Sequence, residues 1–318
     1  MLYRNFCAMK VPRQSHWQLW TALLCCVCTT AVAAPAKKKK RTTRPALEAF
    51  EPARAMPAGP VRALPLAPAA PQAPGSVPTT GAAAVIVIDA RTGAVLYEKN
   101  ADAQRAAAST QKLLTSLIIA ERGFLDRPLT VMPTDTYAEP TKLNIKAGDT
   151  YQRIDLLRAL LVKSPNDVAR CLARDYAGSL EGFAEVMNQR ARELGATSSN
   201  FVNPNGLPNP NQYSTARDLS LIARAAYANP TIRSIVCLPN LVFRYADGRT
   251  RELENTNKVL RRLPYCNGMK TGYTDAAGHC LISSGARPGR DVIAVVLGDG
   301  KARIWQDSAA LLSWALWM

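Results

Sequence analysis

Apolar positions follow one pattern near residue 80, another through the middle of the chain, and the first again toward the end. Residues 83–89 and 94–98 are short apolar runs around the turn signal Arg91-Thr92-Gly93, which predicts two adjacent strands. From residue 109 to 122 the spacing of Leu113, Leu114, Leu117 and Ile118 has the 3.6-residue period of a helix, and Gly123 stops it. A helical block covers 153–227, broken at 163–166, at Gly178 and across the turn-rich stretch 203–211. Thr215 caps its last helix, which carries Leu219, Ile222 and Ala226 on one face. Strand-like runs return at 241–245, 249–253, 268–273, 279–284 and 292–297, and a final helix spans 303–317. Strands at both ends with helices between do not alternate β-α-β. The pattern therefore predicts an α+β fold: a mostly antiparallel sheet flanked by helices, the first and last helices lying on it, with an inserted helical lobe. The cleft between lobe and sheet edge is the expected site.

The first 80 residues follow different rules. Arg4, Lys10 and Arg13 precede an apolar stretch at 19–34 that closes on Ala31-Val32-Ala33. A charged start, a short apolar run and a small-residue cut predict a secretory signal over 1–34, with the protein delivered to the periplasm or cell envelope. The stretch is too short and too interrupted by threonine for a spanning helix, which needs about 20 apolar residues. Cys25-x-x-Cys28 lies inside it and is discounted as a metal or redox pair. Residues 35–80 hold ten of the 22 prolines and few large apolar side chains, so they read as a basic, disordered, Pro/Ala-rich linker. Residues 81–318 then form one catalytic domain.

Charge follows the same division. Of the formal +16, residues 1–34 contribute +3 and residues 35–80 contribute +6, leaving +7 for the remainder. No basic stripe with interleaved aromatics marks a nucleic-acid site. The run 37–41 reads as a solvated tail suited to peripheral contact with an anionic membrane or wall surface. The two histidines, His16 and His279, speak against a His-rich metal site, and no metal or cofactor is expected. Cys171, Cys237, Cys266 and Cys280 have no C-x-x-C spacing. They allow three disulfide pairings, and each serves equally as a small buried apolar residue.

Three short motifs carry chemistry. Ser109-Thr110-Gln111-Lys112 places a hydroxyl and an amine one helical turn apart. A serine becomes a nucleophile when a base takes its proton, and a buried lysine beside another cation can be that base. Ser164-Pro165-Asn166 falls at a helix break, and Lys270-Thr271-Gly272 on a strand. Taken singly, each has a plainer reading: a capping serine with a surface lysine, a helix start with Pro at its first position, and a polar edge strand. Lys270 is not in a phosphate loop, because Met269 precedes it and a strand follows.

The order S-x-x-K, S-x-N, K-T-G resembles the signature set of penicillin-binding proteins and serine β-lactamases, whose transpeptidase fold it implies. Further words resemble one branch, the low-molecular-mass D-alanyl-D-alanine carboxypeptidases, the S11 serine peptidases. They are Ser164-Pro165-Asn166-Asp167, the stretches 201–207 and 213–219, Asn255-Thr256-Asn257-Lys258, and 268–274 continued by Gly278-His279-Cys280-Leu281. Pro165 stands where that family usually has a smaller residue, and Asn205 where many members have His. With the sequence ending at Met318, the later β-rich domain and amphipathic anchor of many carboxypeptidases are not expected.

The resemblance implies a mechanism. Ser109 is the acylated nucleophile and Lys112 its base. Ser164 relays a proton to the leaving D-alanine, and Asn166 holds the peptide amide. The N–H groups of Ser109 and Tyr273 form the oxyanion hole. Lys270 and Thr271 bind the terminal carboxylate, Gly272 lets substrate pass close to the backbone, and Arg303 is a further carboxylate contact. The implied substrate is a peptidoglycan stem peptide ending in D-Ala-D-Ala, with β-lactams as covalent inhibitors. The alternatives are a DD-endopeptidase acting on cross-links, a catalytically weak peptidoglycan-binding scaffold, and a serine β-lactamase. The last needs an E-x-x-L-N-like word, which Glu252-Leu253-Glu254-Asn255 does not supply.

Overall fold

A computed structural model describes residues 75–318. The expected leader and nearly all of the expected linker lie outside the described residues. Packing begins ahead of the expected start at 81. Val77 rests on the sheet's outer layer, and Asp307 accepts hydrogen bonds from Thr80 Oγ1 (2.9 Å) and Gly81 N (2.7 Å).

Five strands form one antiparallel sheet: β1 (Ala84–Asp89), β2 (Val95–Lys99), β7 (Cys266–Thr274), β8 (Gly278–Arg287) and β9 (Arg290–Asp299), in the order β2-β1-β9-β8-β7. Two small antiparallel hairpins stand apart from it: β3 (Pro128–Thr130) with β4 (Thr150–Gln152), and β5 (Asn240–Arg244) with β6 (Thr250–Glu254). The β3–β4 hairpin was not anticipated from the sequence, because its three-residue strands are too short to show a period.

Both faces of the large sheet are covered. Val85, Val87, Leu281, Val292, Ala294 and Val296 point outward onto α7 (Ile304–Trp317), meeting Ile304, Leu311, Leu312, Ala315 and Leu316. The alternate positions Ala84, Ile86, Ile88, Ile282, Ile293, Val295 and Leu297 point inward to the helical lobe. That double burial explains why β1 and β9 read as continuous apolar runs.

The lobe contains α1 (Lys112–Arg122), α2 (Arg153–Lys163), α3 (Asn166–Ala177), α4 (Leu180–Glu193), α5 (Ala216–Ala228) and the short α6 (Pro230–Val236). One expectation is corrected here. α5, rather than α1, covers the inner sheet face, while α1 packs among α2, α3, α4 and α5. Every residue from Lys112 to Ile119 is buried, so α1 has no solvent face over that span. Its apolar stripe showed one buried face. Thr115 and Ser116, polar in the sequence, are buried on the others.

Leu312→Ala empties the contact between α7 and the sheet, remote from the cleft. It is expected to cost about 2–5 kcal/mol of stability in denaturant melts, with the remaining folded protein unchanged in its cleft chemistry.

Candidate active site

Ser109 does not open an α-helix, as the sequence suggested. It sits on a 3₁₀ turn, Ala108–Gln111, that leads into α1. Side chains three apart eclipse on a 3₁₀ turn, and Lys112 Nζ lies 2.7 Å from Ser109 Oγ. Ala108, just before the serine, has φ +47°, a costly conformation for a residue with a Cβ. The turn is held from two sides by backbone that only glycine permits. A Cβ on Gly206 (φ +83°) would lie 2.0 Å from Ala108 O, and one on Gly272 of β7 would lie 2.8 Å from Ser109 N.

Lys112 is fully buried. Besides the serine, its Nζ reaches Asn166 Oδ1 and the Asn205 carbonyl, each at 2.7 Å. Asn166 is fixed in turn: its Nδ2 donates to Glu139 O (3.1 Å), its N–H to Thr141 O (2.7 Å), and its carbonyl accepts from Asn205 Nδ2 (2.8 Å). Ser164 closes α2 in the left-handed region (φ +67°) and Pro165 is the N-cap of α3. The serine therefore does not cap the helix. Its Oγ accepts from Lys270 Nζ at 2.8 Å.

Lys270 is also fully buried and donates to the Thr271 carbonyl (2.9 Å). Burial pushes the Lys270 amine down to about 7. Lys112 is driven well below the ordinary lysine range, by burial first and the Lys270 charge second, with Asp167 pulling the other way. Both amines therefore lose a proton more easily than an ordinary lysine. A neutral amine has two N–H groups and a lone pair. Once Lys112 gives up its proton, Asn166 Oδ1 and Asn205 O can take both hydrogens, which leaves the lone pair for the Ser109 hydroxyl.

The other expected residues divide. Thr271 Oγ1 donates to Thr256 Oγ1 (2.7 Å) beside Lys270. Tyr273 follows Gly272 on the same strand, and its exposed ring stacks on His279 at 4.4 Å. Arg303 is not brought to this cluster: it sits against Gly81 with Nε 3.8 Å from Asp307. Three contributors were missed as such. Asn205 was seen only as a departure from His, yet its amide and carbonyl tie Asn166 to Lys112. Asn257 holds β7 through Gly268 O (2.9 Å), and Asp167 grips the 143–145 loop. Both lay in words singled out in the sequence, but nothing local revealed their partners. Among the described residues no three His, Cys, Asp or Glu side chains cluster as metal ligands, and all four cysteines are free.

A hydroxyl on a strained turn, a buried amine of lowered pKa against it and a second buried amine bound to Ser164 define a serine acyl-transfer site in a penicillin-binding-protein fold. The chain belongs to the D-alanyl-D-alanine carboxypeptidase family, Peptidase S11, whose family model matches residues 70–301. It is 36% identical over 248 residues to the D-alanyl-D-alanine carboxypeptidase DacB2 of Mycobacterium tuberculosis, covering 76% of this chain and 84% of that one. It is 30% identical over 244 residues to the D-alanyl-D-alanine endopeptidase of Escherichia coli, covering 75% and 78%. Among solved structures, a D-alanyl-D-alanine carboxypeptidase from Mycobacterium tuberculosis H37Rv superposes with a TM-score of 0.72 at 33% identity, covering 77% of this chain and 94% of that one.

Two outcomes are expected. Gly206→Ala pushes a methyl into Ala108 O and abolishes acylation of the cleft serine, read by fluorescent-penicillin labelling. Lys270→Met removes a buried amine and raises stability by about 1–3 kcal/mol while activity is lost. Because the folded pKa of Lys270 lies below its unfolded one, its contribution to wild-type stability rises with pH from about 7 toward the ordinary lysine range. Melts of Lys270→Met should show a shallower rise.

Proposed function

We propose that the chain is a serine D-alanyl-D-alanine carboxypeptidase that removes the terminal D-alanine from peptidoglycan stem peptides through an acyl-enzyme. The observation that carries this is the linked set Ser109–Lys112–Asn166 and Ser164–Lys270, with two buried amines of depressed pKa. Ser109 Oγ attacks the carbonyl of the penultimate D-alanine, and its proton passes to Lys112 Nζ. The N–H groups of Ser109 and Tyr273 take the developing oxyanion; losing one such donor costs about 10²–10³ in rate. The C–N bond breaks as the proton taken up by Lys112 passes by way of Ser164 to the leaving nitrogen, which frees Lys112 again. Water then attacks the ester and gives its proton to Lys112, releasing the shortened peptide and restoring Ser109. Charged Lys270, with Thr271, binds the terminal carboxylate. A β-lactam acylates the same serine. Arg303 is not part of this reading, since its neighbours are Gly81 and Asp307.

The leader expected at 1–34 and the basic spacer expected at 35–80 favour action outside the cytoplasmic membrane, on the envelope. No described helix is long and apolar enough to cross a membrane. A second reading, cleavage of cross-links, is favoured by the similarity to a D-alanyl-D-alanine endopeptidase across three-quarters of the chain.

The test uses purified protein with a pentapeptide monomer and with a cross-linked dimer. Free D-alanine from the monomer is the expected result; cleavage confined to dimers supports the endopeptidase, and neither reaction sinks both. Ser109→Ala is expected to abolish covalent penicillin labelling, and label that persists would place the nucleophile elsewhere. In pH profiles, kcat/KM for a carboxylate-terminated peptide should fall as pH rises past about 7, where Lys270 loses its charge in the free enzyme. A C-terminally amidated peptide should lack that limb.

A further inference from the structure

Beside the Lys112–Asn166 contact lies a carboxylate that the mechanism does not use. Asp167 follows Asn166 in the first turn of α3 and is wholly buried. Its oxygens accept from the N–H groups of Leu143 (3.0 Å), Asn144 (2.8 Å), Ile145 (3.3 Å) and Val168 (3.0 Å). Burial raises its pKa, and these four donors pull it back and hold the anion. It has no ion pair within the described residues; its charge is spent on backbone and on the field around it. Fully buried Lys112 stands in that field, with no carboxylate in direct contact.

The charges that bear on Lys112 come from two elements. Lys270 on β7 opposes its protonation, and Asp167 on α3 favours it. The atoms in direct contact, Ser109 Oγ, Asn166 Oδ1 and Asn205 O, are neutral. On the other side of Asp167, Lys142 and Lys146 line a cavity of about 430 Å³ that Asp167 borders, and Lys142 is paired with Glu139 at 2.7 Å.

Resting on the assignment of Ser109 and Lys112 as nucleophile and base, we propose that Asp167 is a positioning residue with two roles. Its fixed anion counters Lys270 and sets the pH above which Lys112 is free to take the serine proton. Its grip on residues 143–145 holds the loop whose Glu139 and Thr141 carbonyls orient Asn166. The charge gives the first role a sign that packing alone does not have. Removing the anion makes Lys112 easier to deprotonate, so the acid limb of acylation moves to lower pH. Removing a purely structural clamp lowers the rate at every pH and leaves the limb in place.

The experiment measures the rate of fluorescent-penicillin acylation from acid to neutral pH for the full chain and for Asp167→Asn, Asp167→Ser and Asp167→Glu, with a thermal melt of each. Either neutral variant should shift the acid limb down by about one pH unit. Asp167→Glu, which keeps the charge but displaces the loop, should lose rate with its limb unmoved. A limb shared by wild type and the neutral variants overturns the proposal. Failure of both neutral variants to fold while Asp167→Glu folds also overturns it, since the anion would then serve the fold rather than the base. If the wild-type chain takes up no penicillin at all, it is the Ser109 reading that has failed.

Discussion

An amine without its proton, held out of water against a hydroxyl, is the condition on which this site depends. Removing an ammonium from water costs several kcal/mol even after the protein relaxes, and at Lys112 that cost drives the pKa well below the ordinary lysine range. Neutrality requires complete desolvation, and α1 is accordingly buried on every side from Lys112 to Ile119. The five other lobe helices all pack against it. The same burial that costs stability makes the lysine a base, so stability and chemistry pull against each other at one side chain.

The cleft is also the seam between the two parts of the domain. Ser109, Lys112, Ser164 and Asn166 belong to the lobe, and Lys270, Thr271 and Tyr273 to β7, the sheet's edge strand. Lys270 crosses the seam to Ser164, and Gly272 lets β7 lie against the Ser109 turn. Catalytic geometry and lobe–sheet packing are therefore one set of contacts. Glycine at 206 and 272 is required by this closeness, because a single methyl at either position would occupy space already filled by backbone. Relatives named as a carboxypeptidase and as an endopeptidase both resemble this chain over most of its length. A shared acyl-transfer core is consistent with that, since the two reactions differ in the leaving group beyond the scissile bond.

Much of the architecture was legible. Long periodic helices and the paired apolar strands were predicted near their observed bounds, because burial on a fixed face leaves a period of 3.6 or 2. The hairpin of three-residue strands and the place of α1 were not. Thr115 and Ser116 look like solvent positions until helices are packed over them. The break at 163–166 reads locally as a helix start with Ser164 as cap, whereas Ser164 adopts a left-handed conformation that turns its hydroxyl to Lys270. Hydrogen bonds join Ser109, Lys112 and Asn166, and Lys270 to Ser164, while Gly272 lies against the Ser109 turn. Arg303 lies elsewhere, against Gly81 and Asp307.

By itself, the order of residues determined which reactive groups the chain owns, their spacing along each element and the family whose chemistry they resemble. Tertiary structure alone decided their charge and their partners. Whether a lysine keeps its proton depends on the solvent and charges around it; Asn205 touches Lys112, and the charges of Asp167 and Lys270 act on it, from segments far apart in the chain. Local sequence encodes spacing, while desolvation exists only once those segments have closed around the amine.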